Sequence, residues 1–427
     1  MLKLRRATVT DAGPPDGAEQ DLIVEMAGDH PRPAIADVAL VGAAQVGDEV
    51  IVNTQALDLS LSSGGFDIVH VNLTRGLGGD GAPGAHVMKL NYTSLQHTVH
   101  PVEGERPMNL PLRRPVAVLA LHGQLAPVVW AFAQAVPGAR LGYVQTEGGA
   151  LAGGHSRTVR ALRERGLLAG HLTAGAAFGG EGEAITTAGA LHHGLDALGW
   201  DAAVCGPGPG IVGSDSPLGH GGLSALDSAH AALALGCEAL LVARMSSGDP
   251  RARHRGISHH TLTVLDLLLA PVTVALPAGM RSPVGADLRA GLGAVFGGAM
   301  PSRPGLELDV ERPARITRHD WRRATVDLPA YAASGLSART MGRGLAQDPL
   351  FFGAALAGGC ALGELVGQAF ADGTVGEHDD RRLADRKPIG DGRISDRPAV
   401  SPIGAAAAAD DDDRRAGAGR ADAKLGM

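Results

Sequence analysis

Aromatic residues make up only 3% of the 427 residues of this chain. A core with so few rings has to be filled with Ala, Val, Leu and Gly, and small side chains suit close packing of helices on a sheet. Lysine is scarcer still: Lys3, Lys89, Lys387 and Lys424 are the four, and residues 90–386 contain none. That gap argues against a Walker P-loop and against Schiff-base lysine chemistry. The three cysteines, Cys205, Cys237 and Cys360, lie in apolar contexts with no CxxC pair, so they read as buried thiols in a reducing compartment. No signal peptide is recognisable, and no apolar run reads as long enough to cross a bilayer. A cytoplasmic protein without membrane contact is the expectation. Net charge is −7, part of it in Asp410–Asp413, which gives no sign of a nucleic-acid surface. Arginine in place of lysine, with many Ala and Gly, reads as high-GC bacterial coding.

What is present begins as alternation. Residues 1–111 suggest five or six short strands separated by tight turns, among them Leu22–Met26, Val38–Val41, Glu49–Asn53, Phe66–Leu73 after the turn at Ser62–Gly65, and His86–Tyr92. Such a segment predicts a small β-barrel or sandwich domain. Asp67, His70 and His97 are isolated there and read as structural.

From Pro115 the texture changes to strand and helix in turn. The expected strands are Val116–Leu121, Arg140–Val144, Leu168–Thr173, Ala202–Cys205, Ala239–Ala243 and Val272–Leu276. The expected helices are Leu125–Ala135, Thr158–Arg165, Thr187–Leu198, Leu223–Leu235 and Thr261–Leu269. Repeated units of this kind predict an α/β domain over 112–280, with about six strands in a mostly parallel, Rossmann-like sheet covered on both faces. Residues 281 to about 320 look irregular, Ser337–Phe370 supplies a closing helical element within a C-terminal cap (281–370), and 371–427 reads as a disordered tail.

The two kinds of connection differ. Helix-to-strand links are short and bland, whereas strand-to-helix links are long and rich in Gly, His, Arg, Ser and acids. In a parallel sheet the rich links all emerge at the carboxyl edge, where open α/β sheets bind their ligands. Coding bias would enrich both edges alike. The richest link runs from Gly206 to Gly222. Its backbone N–H groups at Gly208, Gly210 and Gly213 suit an anion, and it formally matches GxGxxG, although with prolines and no helix at the last glycine. Ser216 and Pro217 read as a helix cap and first residue, with Asp215 either cap or ligand.

The link after the next strand is basic. Arg244, Arg251, Arg253 and Arg255 suit phosphate or carboxylate oxygens, and Ser246 with an arginine would also suit the 2′-phosphate of NADP. His122, Glu147 and His220 are the candidate acid–base groups. His254, His259 and His260 suggest a metal, but adjacent His259 and His260 at a helix start point about 100° apart. A metal would need ligands from other loops, such as His122, Glu147, His155 or Asp215, so no metal site is assigned. Ser156, beside His155, reads as a helix cap rather than a nucleophile. Arg339, Arg343 and Asp348 read as a surface ion pair beside a helix packed by Leu350, Phe351 and Phe352, or as a lid.

Several blocks, HVMKLNYTSLQ from His86, LHGQLAPV from Leu121, YVQTEGGAL from Tyr143, GPGPGIVGSDSPLGHGG from Gly206, RHRGISHHT from Arg253 and MGRGLAQDPLFF from Met341, resemble a bacterial, mainly actinobacterial family known as domain of unknown function 3866. The resemblance covers roughly residues 1–370 and implies a bacterial cytoplasmic protein, with no catalytic residue carried over. Three functions are therefore open: an enzyme, with hydrolysis as one class, or a binder acting on a phosphorylated or other anionic small molecule; a non-catalytic ligand sensor or partner-binding module; and an NADP-dependent reductase. A homo-oligomer is compatible with each.

Overall fold

Alternation of apolar and polar residues closes the start of the chain into a barrel. In the computed structural model, which describes residues 1–59, 65–105, 107–214, 216–279 and 312–372, β1 (Leu4–Ala12), β2 (Glu19–Glu25), β3 (Arg32–Asp37), β4 (Glu49–Asn53) and β5 (Asp67–Asn72) pair in the closed order β1-β2-β3-β5-β4. Val9, Leu22, Val24, Ala36, Val50 and Val52 turn inward and are buried, as the two-residue period of a strand requires. Closure leaves no exposed sheet edge. Asp48 ties the β4 turn to β5: its carboxylate accepts from Gln45 N–H (2.9 Å), Asn72 Nδ2 (2.9 Å) and Arg75 Nε (2.8 Å). Val38–Val41, expected as a strand, is one turn of helix. Asp37 accepts from the N–H groups of Ala39 and Leu40 and caps it, and this local bond overrides the β-propensity of the valines. Residues 60–64 of the expected turn lie outside the described residues.

A short hairpin, β6 (Val87–Lys89) and β7 (His97–Val99), follows. Buried Lys89 hooks it to the next layer through Glu183 (2.7 Å) and the carbonyl of Thr173 (3.2 Å). Burial pulls the Lys89 pKa down, against the pull of Glu183.

The α/β part holds β8 (Pro115–Val118), β9 (Leu141–Thr146), β10 (Gly170–Ala174), β11 (Gly182–Ala184), β12 (Ala202–Pro207), β13 (Glu238–Val242), β16 (Thr273–Pro277) and β17 (Asp320–Ala324). They form one parallel, Rossmann-like sheet in the order β11-β10-β9-β12-β8-β13-β16-β17. Two small ribbons sit beside it: β14 (Met245–Ser246) with β15 (Gly256–Ile257), and β18 (Arg339–Thr340) with β19 (Arg343–Gly344). Eight strands replace the six expected. β11 is three residues long, and β17 is an edge strand whose Trp321, Arg322 and Arg323 are not fully buried, so neither carries the apolar run of a central strand.

Helices Thr187–His192, Ser224–Ala234 and His259–Leu267 cover one face of the sheet. Helices Leu125–Ala135, Arg157–Glu164 and most of Pro349–Ala371 cover the other. The last of these corrects the expectation of no membrane-length apolar run. It has 23 residues, a mean hydropathy of 1.6, and is long and apolar enough to cross a bilayer by length and composition, yet 83% of its apolar window is buried inside the protein. It is a core helix here, not a surface cap. The helix after β12 is Ser224–Ala234, within a residue of the expected Leu223–Leu235, and follows a single turn at Gly221–Leu223, so Ser216 and Pro217 are not its cap and first residue. The residues 280–311, and the tail from 373 with its aspartate run, lie outside the described residues.

Trp200, fully buried, shows how the small-residue core is fitted. Its indole lies in a cradle of Gly142, Gly170 and Gly194, where a Cβ on any of the three would fall inside contact distance of the ring. Gly142→Ala is expected to lower unfolding free energy by about 2–3 kcal/mol through overpacking. Gly79→Ala, which meets open space, should change it by less than about 0.5 kcal/mol. Urea denaturation of both variants checks the difference.

Candidate functional site

The connection after β9 runs to the helix Arg157–Glu164, and the connection after its neighbour β12 runs to Ser224–Ala234 on the opposite face. The neighbours β8 and β13 diverge in the same way, through Leu125–Ala135 and His259–Leu267. Such divergence opens a crevice at the carboxyl edge. Close backbone contacts knit the loops there. A Cβ on Gly222 would stand 2.9 Å from the carbonyl of Ala120, and Gly148 and Gly221 are too near each other for either to carry one. Gln124, fully buried, fixes the β8 loop: Oε1 accepts from Ala120 and Leu121 N–H, and Nε2 donates to the carbonyls of Val242 and Ala243.

Two groups of side chains occupy this edge. The first centres on His122. Its Nε2 lies 2.8 Å from Ser156 Oγ, and its Nδ1 lies 3.3 Å from the carbonyl of Pro207. A carbonyl only accepts, so the proton sits on Nδ1 and Ser156 donates to Nε2. Ser156 also accepts from Val159 N–H as the cap of its helix. Tyr143 donates to the carbonyls of Gly206 and Pro207 and stacks on His171 at 5.3 Å. Burial pushes His122 down to about 4, and burial, followed by the charge of His122 and of Arg163, pushes His171 to about 3.

The second group joins the loops after β12 and β13. His220 stacks flat on His260 at 3.5 Å. His254, His259 and His260 meet pairwise at ring distances of 4.9, 4.9 and 4.3 Å. His220 is 7% exposed, and neither ring nitrogen makes a hydrogen bond of good geometry, although the carbonyl of Pro217 lies near the ring. Burial and then Arg244 lower its pKa, against the carbonyl of Pro217. Burial, then the charges of Arg244 and Arg251, hold His254 at about 3; burial, then His220 and Arg253, hold His259 at about 4.

Around the imidazoles three guanidinium groups share two carboxylates. Arg251 binds Asp249 through Nε (3.0 Å) and NH2 (2.9 Å), and Arg343 bridges Asp249 (3.3 Å) and Asp348 (3.1 Å). Arg244 stands 3.7 Å from Asp249. Burial draws Arg244 down to about 10, so it is still charged at neutral pH. Asp348 also accepts from Ser246 Oγ (2.6 Å) and from Ser247 N–H (2.8 Å). Arg343 is partly buried and Asp348 fully enclosed, so this ion pair differs from the surface pair expected.

The expected residues therefore divide. His220 joins His254, His259 and His260 beside Arg253. His122 joins Ser156. Glu147 is exposed and leans toward Gly175. His155 turns to Asp37 of the barrel at 3.0 Å. Arg251 and Ser246 are engaged by Asp249 and Asp348. Gly210 turns the chain at φ +73° beside Ala150, Gly208 is buried, and Gly213 bridges His220. Asp215 lies outside the described residues.

A family model described as a protein of unknown function, DUF3866, matches residues 33–359. The chain belongs to the DUF3866 family. No curated protein matches it. The match spans the end of the barrel, every sheet strand and the first half of the C-terminal helix, so both side-chain groups belong to the part of the chain that defines this DUF3866 protein.

Sequence reasoning named Arg244 as an anion clamp but missed Tyr143, Asp249 and the convergence of the four imidazoles. The one available signal was position: the loops of His220 and His254 follow β12 and β13, the two strands that flank β8.

His122 should make stability depend on pH. Its folded pKa of about 4 lies below the ordinary 6.5, so the unfolded chain binds more protons in that window. Stability is expected to fall as pH drops from about 6.5 to about 4 and to gain nothing further below it. His122→Gln should remove on the order of 2–3 kcal/mol of that pH-dependent loss, measured as the change in urea-unfolding free energy between pH 7 and pH 4.5.

Proposed function

We propose that this protein binds a small anionic ligand, a phosphorylated or carboxylated metabolite, at the carboxyl edge of the sheet between the loops after β12 and β13. The observation that carries this is the buried His220 ring in the field of Arg244, its approach to the carbonyl of Pro217 falling short of a hydrogen bond of good geometry. A neutral imidazole always has one N–H to donate. Leaving a buried donor unmet costs about 1–3 kcal/mol, and beside a guanidinium the acceptor that fits is negatively charged. Arg253 follows in the same group, and helix His259–Leu267 starts there, its N-terminal dipole adding positive potential.

Hydrolysis has one observation in its favour, the 2.8 Å contact of His122 with Ser156, a base and hydroxyl at reacting distance. Ser156 is 4% exposed and its hydroxyl also caps a helix, so binding, whether for catalysis or for sensing, is the better supported reading. NADP recognition draws less support, because Ser246 and Arg251 already bind Asp348 and Asp249. Free thiols and the arginine bias support a setting in the cytoplasm of a bacterium.

Calorimetric titration of chelator-treated protein with inorganic phosphate and a panel of phosphorylated and carboxylated metabolites tests the reading. At least one anion should bind, and Arg253→Ala should weaken it tenfold or more, since a hydrogen bond to a charged group contributes about 1.5–3 kcal/mol. Silence across the panel, or unchanged affinity in Arg253→Ala, would remove it.

A further inference from the structure

His254, His259 and His260 each present a ring nitrogen within 4.8 Å of the other two. In a tetrahedral site with metal–nitrogen bonds of about 2.0–2.1 Å, ligand nitrogens stand about 3.3 Å apart. Side-chain rotation of roughly an ångström closes that difference. The near-perpendicular spacing of adjacent helical positions argued against convergence, but His259 and His260 occupy the first turn of their helix, and His254 arrives from the preceding loop.

The second nitrogen of each ring shows whether the first is available. His254 Nδ1 contacts Ser258 Oγ at 2.8 Å, which leaves Nε2 to ligate and fixes the ring from behind, as partners of metal-bound histidines do. His259 Nε2 is buried without a partner. His260 meets Arg244 NH1 through Nδ1 at 2.6 Å. Guanidinium only donates, so the neutral ring carries its proton on Nε2. Ligation through Nε2 moves that proton to Nδ1 and opens the bond to Arg244, with no net proton lost.

We propose that His254, His259 and His260 hold one divalent transition-metal ion of the zinc class, with its fourth position open. A donor set of nitrogen alone selects zinc, nickel, copper or iron over calcium and magnesium. Burial keeps these rings in the neutral form that ligates. The charges of Arg244, Arg251 and Arg253 oppose a dication, and Asp249 offsets part of that opposition at His254. An anion in the open position offsets more of it, a coupling that rests on the anion-binding reading, whereas the ligand geometry does not.

The test uses tag-free protein stripped with chelator, dialysed against zinc or cobalt(II) chloride with and without inorganic phosphate, and read by elemental analysis and by the visible absorption of tetrahedral cobalt. One equivalent per chain is expected, with at least a tenfold loss of affinity in His254→Ala and in His259→Ala, whose folding is checked by thermal melting without metal. Should His254→Ala fail to fold, His259→Gln, at a partly exposed position, decides. No stoichiometric metal in either buffer, or full binding in the folded variants, overturns the proposal. Phosphate binding by stripped protein that takes up no metal overturns the metal site and keeps the anion site; metal uptake without phosphate binding does the reverse.

Discussion

Backbone-to-side-chain approach at glycine sets the geometry that the rest of the molecule inherits. Along the helix Pro349–Ala371, Gly358 faces Val242 of β13, Gly359 faces the carbonyl of Val128, and Gly363 faces Ala135. A side chain at Gly358 would push the helix off the sheet, and one at Gly359 or Gly363 would push it off its partner Leu125–Ala135. With almost no aromatic volume available, dispersion has to come from many short contacts rather than a few large rings. The same economy explains Trp200: one large ring can be buried only because three glycines vacate its space.

This close packing bears on the chemistry through Asp348. That residue immediately precedes the core helix, is fully enclosed, and accepts from Ser246, Ser247, Gly248 and Arg343. The start of the most buried helix is thus bonded to the loop that carries Arg251, Arg253 and His254. Removing one member of a buried, hydrogen-bonded ion pair leaves its partner uncompensated and costs about 3–5 kcal/mol. Rigidity at the carboxyl edge therefore comes from the core. The edge loops can hold imidazoles at fixed separations without long secondary structure of their own.

How much of this was legible follows from which forces are local. The strand Glu49–Asn53 and the helix Leu125–Ala135 match the sequence reading residue for residue, because alternation and helical apolar spacing are written within the segment itself. β17 escaped because an edge strand needs little apolar content, and its Arg322 and Arg323 mask the pattern. Val38–Val41 was misread because a single carboxylate, Asp37, decides it. At the site, the richness of the carboxyl-edge loops pointed to the right rim. Pairing of Asp249 with Arg343, and of Ser246 with Asp348, reaches a loop more than ninety residues further on, and no local spacing encodes it.

The four imidazoles gather several costly groups at one place. Buried Gln124 and Asp48 find partners nearby. Here neither ring nitrogen of His220 makes a hydrogen bond of good geometry, and His259 leaves a buried nitrogen unmet. Two kinds of ligand would relieve that cost from opposite ends of the same chemistry. A cation takes the lone pair of a ring nitrogen; an anion takes its N–H. His254 and His259 expose the former and His220 retains the latter, so the two do not compete for atoms. Because Arg244 loses its acceptor when His260 ligates a metal, a guanidinium donor would be released beside His220 as the cation arrives. Were the proposed cation and anion both to bind, the cluster would act as one site with two complementary halves, in which each ligand supplies the charge that makes room for the other.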